Sequence, residues 1–373
     1  MSSTTRDGFT TPSTAIYAAI CGRPGRKIPH WEHWSCPDAE TYLTGIDYYD
    51  HPRLCRQKLA ELYPQLGQPV YDTDAPRSRP TAEESTSAQT DDQGKHRVRW
   101  GDSFTWEWDW GRWLKDPEEI FSFSPLATDF TDIPVVESRD YRDEDKLYDE
   151  YRKRWPAEWT GNGPAGEFNA AFFYNTLFMW PLLSFGWENF MQACLDERFD
   201  RVLDEFAELS RRVFRVLSRM PVSAVICHDD IVTTRGPTCS PAWMRAHIFP
   251  RYEEYWSMIK ATGKKVIFMS DGNMDAYADD VFACGADGIV TEPHTDYKTI
   301  ARKHPDKFLS GEGDNRILTR NDPDEIKAMV KNMAETARMA AGYTMCIGNH
   351  IPWNVTPQGI KRYLDYSTEF ACR

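Results

Sequence analysis

Apolar residues arrive along the second half of the chain in short, uninterrupted runs that each end in polar, titratable residues. Ala224, Val225, Ile226 and Cys227 form one such run and lead into His228-Asp229-Asp230. An unbroken apolar run of this length is the pattern of a strand buried on both faces. Lys265 to Ser270 leads likewise into Asp271-Gly272-Asn273, and Asp287 to Thr291 into Glu292-Pro293-His294. Lys307 to Ser310 leads into Gly311-Glu312, and Gly342 to Ile347 into Gly348-Asn349-His350. Helical periodicity separates most of these runs. Phe199, Val202, Leu203, Phe206, Leu209, Val213, Phe214 and Leu217 make the clearest amphipathic stripe, in a helix expected over Leu195 to Met220. Further helices are predicted over Pro241–Thr262, Met274–Cys284, Tyr297–His304, Pro323–Ala340 and Pro357–Phe370, several opening on proline after a polar cap. Strand–helix alternation with polar residues at each strand's carboxyl end predicts a parallel α/β barrel whose site lies at that end.

The first half is less regular. Residues 1–20 form a polar lead-in that merges into a short helix, Thr14 to Cys21. Lys27 to Trp34 alternates around aromatics as a first strand, which makes Glu32 a candidate pocket-lining residue. Adjacent strand residues face opposite ways, so His30, Glu32 and His33 cannot all converge on one ion. Residues 37–67 read as helices, the second starting at Pro52. Residues 72–96 are poor in apolar residues and are expected to form a flexible insertion. Val98 to Trp110 predicts a strand or hairpin with an aromatic face (Phe104, Trp106, Trp108, Trp110). Asp140 to Trp155 reads as a solvated helix, and Phe168 to Phe190 as a buried strand with a pocket-facing loop. One domain over 21–373 is expected.

Composition excludes several classes. A net charge of −13 leaves no basic stripe for nucleic acid. No apolar run nears the roughly 18 residues of a membrane span, and the polar N-terminus is unlike a secretory signal. Nine scattered cysteines without a CxxC pair imply reduced thiols and a cytoplasmic location. The 14 Trp and 17 Tyr residues include rings suited to lining a pocket for a ring-shaped ligand.

Two segments resemble a known family. DDIVTTRGPTCSPAW, from Asp229, running on through VIFMSDGN to Asn273, and the closing GNHIPWNVTPQGIKRY, from Gly348, are similar to motifs of the uroporphyrinogen decarboxylase superfamily. The likeness is close over 223–366 and loose over 20–370. It implies a (β/α)8 TIM-type barrel with an N-terminal extension. The superfamily contains haem-pathway decarboxylases and corrinoid-dependent methyltransferases, the latter often using zinc. The decarboxylases carry an arginine-rich loop after the first strand. His30-Trp31-Glu32-His33-Trp34 stands here instead, with an acid where a polycarboxylate substrate needs a cation. Thiol-directed methyltransferases carry soft cysteine ligands, where this chain has Asp271 and Asn349.

The resemblance therefore points to the methyl-donor side: transfer of a methyl group from a small methoxylated compound, aromatic ones included, or a methylated compound, to a corrinoid protein. That is an O-demethylase-like reaction. Asp271, Glu292, Glu312 and His350 are the candidate metal ligands, for zinc or another divalent ion. Asp271, Glu312 and His350, with His228 and Asp229 as proton donor or orienting pair, are the candidate catalytic residues. Glu32, Trp34, Asn273, Trp180 and Trp353 are the candidate substrate-binding residues. The corrinoid is expected on a partner protein, and a homodimer is the assembly the resemblance implies. Two other readings stay open: a metal-free decarboxylase or lyase using Arg235 or Arg316 on a small carboxylic acid, and a non-catalytic ligand-binding relative.

Overall fold

Parallel strands packed between helices carry the chain, and each of the five apolar runs that end in polar residues contains one of them. The apolar segment read as a loop after Ala170–Phe173 instead forms the helices Met179–Phe185 and Trp187–Ala193. The structure is a computed structural model describing residues 28–63, 74–81, 89–90, 96–100, 103–106, 116–128, 139–154 and 170–371. It divides into two units: Met1–Trp106, Glu158–Asn169 and Gly288–Arg373 make one, Glu107–Ala157 and Ala170–Asp287 the other.

The second unit is built on three parallel strands, Ala170–Phe173, Ala224–His228 and Lys265–Met269. Their register places Ala170 beside Ala224 and Ala224 beside Lys265, with His228 beside Met269. All five residues of the middle strand are buried, as expected for a strand covered on both faces. The helix Phe199–Arg219 buries the predicted stripe, and its Phe214 ring stacks on Tyr255 at 4.9 Å. Trp180 belongs to this core. It is fully buried, its ring lies against Phe206 and Tyr141, and its indole N–H donates to Ser210.

The predicted helix 241–262 is two, Pro241–His247 and Phe249–Lys260. Pro250 has no N–H to donate and its ring crowds the carbonyl four residues back, so the helix is interrupted there. A short hairpin, Val232–Thr233 against Gly236–Pro237, stands where no element was expected.

In the first unit Gly288–Val290, Phe308–Ser310 and Gly342–Tyr343 run parallel. Parallel bridges Gly313–Ile347, His30–Met345 and Trp34–Ile351 extend the pairing, so the 27–34 segment is strand-like as its alternation predicts, and Trp34 is buried. Pro37–Thr44, Pro52–Leu62, Pro323–Met339 and Pro357–Phe370 form helices that start on proline. Asp322 and Thr356 cap the last two with side-chain oxygens. A hairpin pairs His96–Trp100 with Ser103–Trp106; Trp108, Trp110, the Thr14–Cys21 helix and most of the 72–96 insertion lie outside the described residues. Among the described residues no helix is long and apolar enough to cross a membrane.

Gly311 is the tightest backbone contact. Its φ is +101°, and a Cβ there would stand 1.8 Å from the Thr291 carbonyl oxygen. Gly311→Ala should lower the unfolding free energy by about 3 kcal/mol or more. Gly263→Ala, also at positive φ but facing open space, should cost only about 1 kcal/mol. Denaturant titration of both variants checks this; equal losses would mean that the close approach is unimportant.

Candidate functional site

Successive residues at a strand end point to opposite sides, and this sorts His228, Asp229 and Asp230 into two roles. His228 and Asp230 fall on one side. The His228 Nε2 lies 3.2 Å from Asp230 Oδ1. Because His228 pairs with Met269 in the parallel register, Asp271 emerges beside Asp230, and the Asp271 N–H donates to Asp230 Oδ1 at 2.9 Å. One donor atom from each of His228, Asp230 and Asp271 lies within 4.8 Å of the others. They form the one such group of three His, Cys, Asp or Glu residues among the described residues.

The other ring nitrogen fixes the tautomer. His228 Nδ1 is 3.3 Å from the Tyr174 carbonyl, which can only accept, so Nδ1 carries a proton. Nε2 is then directed at the carboxylates, either as a lone pair or through a shared proton. An N–H tied to a backbone carbonyl is the usual support of a metal-bound histidine. Burial opposes charging His228, but the carboxylates of Asp230, Asp271 and Asp229 outweigh it and raise its pKa. Burial likewise opposes ionising Asp230, and His228 together with the Asp271 N–H overcomes it, holding that carboxyl below its ordinary value. Burial and these two aspartates push the Tyr174 phenol up.

Asp229 faces the other way and is fully buried. Its oxygens accept the backbone N–H groups of Leu177, Phe178 and Met179 at 2.6, 2.8 and 2.9 Å, and the Tyr252 hydroxyl at 2.6 Å. Desolvation still raises its pKa to about 6 against those bonds. Asp229 is therefore an anchor for the 177–179 turn. It is not paired with His228 as proton donor.

That anchor sets Tyr174-Asn175-Thr176 against His228. The Thr176 N–H donates to the His228 carbonyl at 3.0 Å, and the Tyr174 ring lies 4.2 Å from the imidazole. Asn175, clamped between them, is buried, and among the described residues neither its amide oxygen nor its amide nitrogen has a hydrogen-bond partner. A buried amide left this way costs about 1–3 kcal/mol, which a polar ligand would offset. Sequence reasoning passed over Tyr174 and Asn175 and left Asp230 out of the candidate residues. The signal was present: the Ala170–Phe173 strand also ends in polar residues. Asn273, expected to bind substrate, shapes the loop: its N–H donates to the Thr233 carbonyl and its Oδ1 accepts from the Asp275 N–H.

The remaining candidates lie in the first unit. Of the four expected metal ligands, Asp271 alone belongs to the three-residue group. Glu312 is turned toward the helix Pro323–Met339, where Asn332 and Thr336 donate to one oxygen at 2.7 and 2.9 Å and Tyr343 donates to the other at 2.5 Å. Burial raises its pKa to about 7. Glu32 accepts from the Tyr363 hydroxyl at 2.7 Å and from the Ile347 N–H at 3.0 Å, with His30 at 2.9 Å. It thereby ties the first strand to the 347–350 loop. His350 is half-buried, 2.7 Å from Asn349 Oδ1, with its ring 6.3 Å from that of His33. Burial and His33 bring its pKa down to about 4. The backbones of the Glu292, Gly311 and Gly348 loops pack closely: a Cβ on Gly348 would lie 2.6 Å from the Gly311 oxygen and 3.1 Å from the Glu292 Cα. Trp353 is half-buried. Arg316 is held by Asp314 at 2.8 Å.

The sequence model of uroporphyrinogen decarboxylase (URO-D) matches residues 184–370. Among solved structures, a methyltransferase from Methanosarcina mazei is similar with a TM-score of 0.58 at 16% identity, over 96% of this chain and 99% of that one. That likeness is one of fold, an α/β architecture of the (β/α)8 type. No curated protein matches the sequence.

Two outcomes follow from the buried acids. Asp229→Asn turns an acceptor oxygen into a donor facing other donors, and should lower the unfolding free energy by about 3 kcal/mol, read by urea denaturation; an unchanged midpoint would remove the anchor. Glu312 has a folded pKa near 7 against an ordinary 4.5, so its stabilisation is full below about pH 4.5 and lost as pH rises through about 7. Glu312→Gln should flatten the parent's decline in stability between about pH 5 and 8. Parallel stability–pH curves would contradict this.

Proposed function

The chain belongs to the uroporphyrinogen decarboxylase (URO-D) family, and on that footing we propose that it is a corrinoid-linked methyltransferase. It would move a methyl group from a small methoxylated or methylated compound to a corrinoid protein, an O-demethylase-like reaction. The observation that carries this reading is the His228–Asp230–Asp271 group with its supporting Tyr174 carbonyl. One imidazole and two carboxylates, with the imidazole's second nitrogen already engaged, are a donor set suited to zinc or a similar divalent ion. When bound, such an ion supplies Lewis acidity at a departing ether oxygen.

The chain's own residues do the rest. Tyr174 and Asp271 orient His228 and Asp230 through the carbonyl and N–H contacts described above. The Phe172 ring, 6.1 Å from His228, and the Tyr174 ring, both half-buried, offer faces to an aromatic methyl donor. The unpartnered Asn175 amide would hold the donor's polar substituent. The anionic group disfavours a polycarboxylate substrate, which weighs against decarboxylation. We keep residues 21–373 as one barrel domain, as the resemblance implies. The seven described cysteines are free, in keeping with a reducing cytoplasm. A homodimer is carried over from the resemblance.

Methyl transfer from a methoxyphenol to free cob(I)alamin, followed by the cobalamin absorption change, tests the reading. Chelation should abolish transfer and zinc should restore it. His228→Ala and Asp271→Ala should each reduce it by about a hundredfold or more. Full rates in chelated protein or in Asp271→Ala would refute the assignment. Asn175→Ala should raise KM for the donor about tenfold with a smaller change in kcat, matching one lost hydrogen bond of about 1.4 kcal/mol.

A further inference from the structure

The second unit holds a group of soft donors that methyl transfer does not use. Met191 lies in the helix Trp187–Ala193 and Cys194 caps it in helical conformation. Their spacing of three puts both side chains on one face. Cys239 reaches the same place from the loop after the Val232–Pro237 hairpin. Its Sγ stands 3.9 Å from Met191 Sδ, and the Cys194 thiol is near enough for the two thiols to shift each other's ionisation. All three residues are half-buried.

The loop is held from several directions. The Tyr277 hydroxyl donates to the Cys239 carbonyl at 2.6 Å, the Thr238 N–H donates to the Ile231 carbonyl at 3.2 Å, and Ser240 caps the following helix. The sulfur positions are thus set by the fold, with one tether at Ile231 beside Asp230.

Sulfurs bound to one ion at about 2.3 Å stand roughly 3.8 Å apart in tetrahedral and 4.0 Å apart in trigonal geometry. The Met191–Cys239 separation already falls in that range. A thioether adds little for zinc, but with thiolates it makes a set selective for monovalent copper. We propose that Met191, Cys194 and Cys239 form a binding site for one soft monovalent ion of the copper(I) class. Both thiols give their protons to solvent, each thiolate and the Met191 thioether donate a lone pair, and no oxidation state changes. The Cys194 contact lowers the Cys239 pKa and raises that of Cys194, so Cys239 gives up its proton first. The chemistry contrasts with the imidazole–carboxylate group nearby in sequence, which suits harder ions.

The experiment is an anaerobic titration of the reduced full-length protein with copper(I) buffered by bicinchoninate. The parent should take one more copper(I) than the Cys194→Ser/Cys239→Ser variant, with a thiolate-to-copper ultraviolet absorption. Met191→Leu should keep the stoichiometry and weaken binding about tenfold. The other seven cysteines are common to every variant. In the parent alone, copper(I) should protect Cys194 and Cys239 from iodoacetamide, read by peptide mass mapping, which keeps the test independent of variant folding. Equal uptake by parent and double variant, or equal alkylation with and without copper(I), would overturn the proposal.

Discussion

One buried carboxylate organises the second unit's chemistry. Asp229 has no solvent exposure and takes up three successive backbone N–H groups and a tyrosine hydroxyl. An ionised group in such a place is tolerated only when its lone pairs are filled. The bonds that fill them pin the turn after one strand to the end of the next, and so bring the Tyr174 carbonyl to His228 and Asn175 beside it. The imidazole's direction, the unpartnered amide and the ring wall follow from that attachment.

The two strand ends then behave as a register device. Parallel pairing of Ala224–His228 with Lys265–Met269 makes Asp230 and Asp271 neighbours, and alternation puts His228 on their side. Like charges this close are unfavourable unless a cation joins them. The protein offers the His228 imidazolium, with its raised pKa, and a metal ion would serve the same electrostatic need. The first unit uses its acids differently. Glu32 and Glu312 are each surrounded by donors from helices and loops, so they fasten the 347–350 loop and the helix Pro323–Met339.

Much of this was legible in the sequence. The unbroken run Ala224–Cys227 and the stripe from Phe199 to Leu217 have one physical reading each, and both are found. The proline-led helices at 323 and 357 are found as well. Side-chain direction was harder. His228-Asp229-Asp230 was read as a cluster, although alternation alone separates Asp229 from the other two. Asp271 could be placed beside Asp230 only once the strand register was known. Glu312 follows a strand just as Asp271 does, and nothing local says that its carboxyl turns to Asn332 and Thr336, which lie 20 and 24 residues away. Trp180 was counted among pocket rings because aromatic surplus does not distinguish core from cavity. Asn175 was overlooked because a missing partner shows only in three dimensions.

The proposed chemistry requires His228, Asp230 and Asp271 to act together as ligands. Elemental analysis of the purified protein after equilibration with limiting zinc is the most direct measurement. It should find about one tightly held ion per chain in the parent and none in Asp230→Asn/Asp271→Asn. A parent that retains no ion, or a double variant that retains as much, would contradict it.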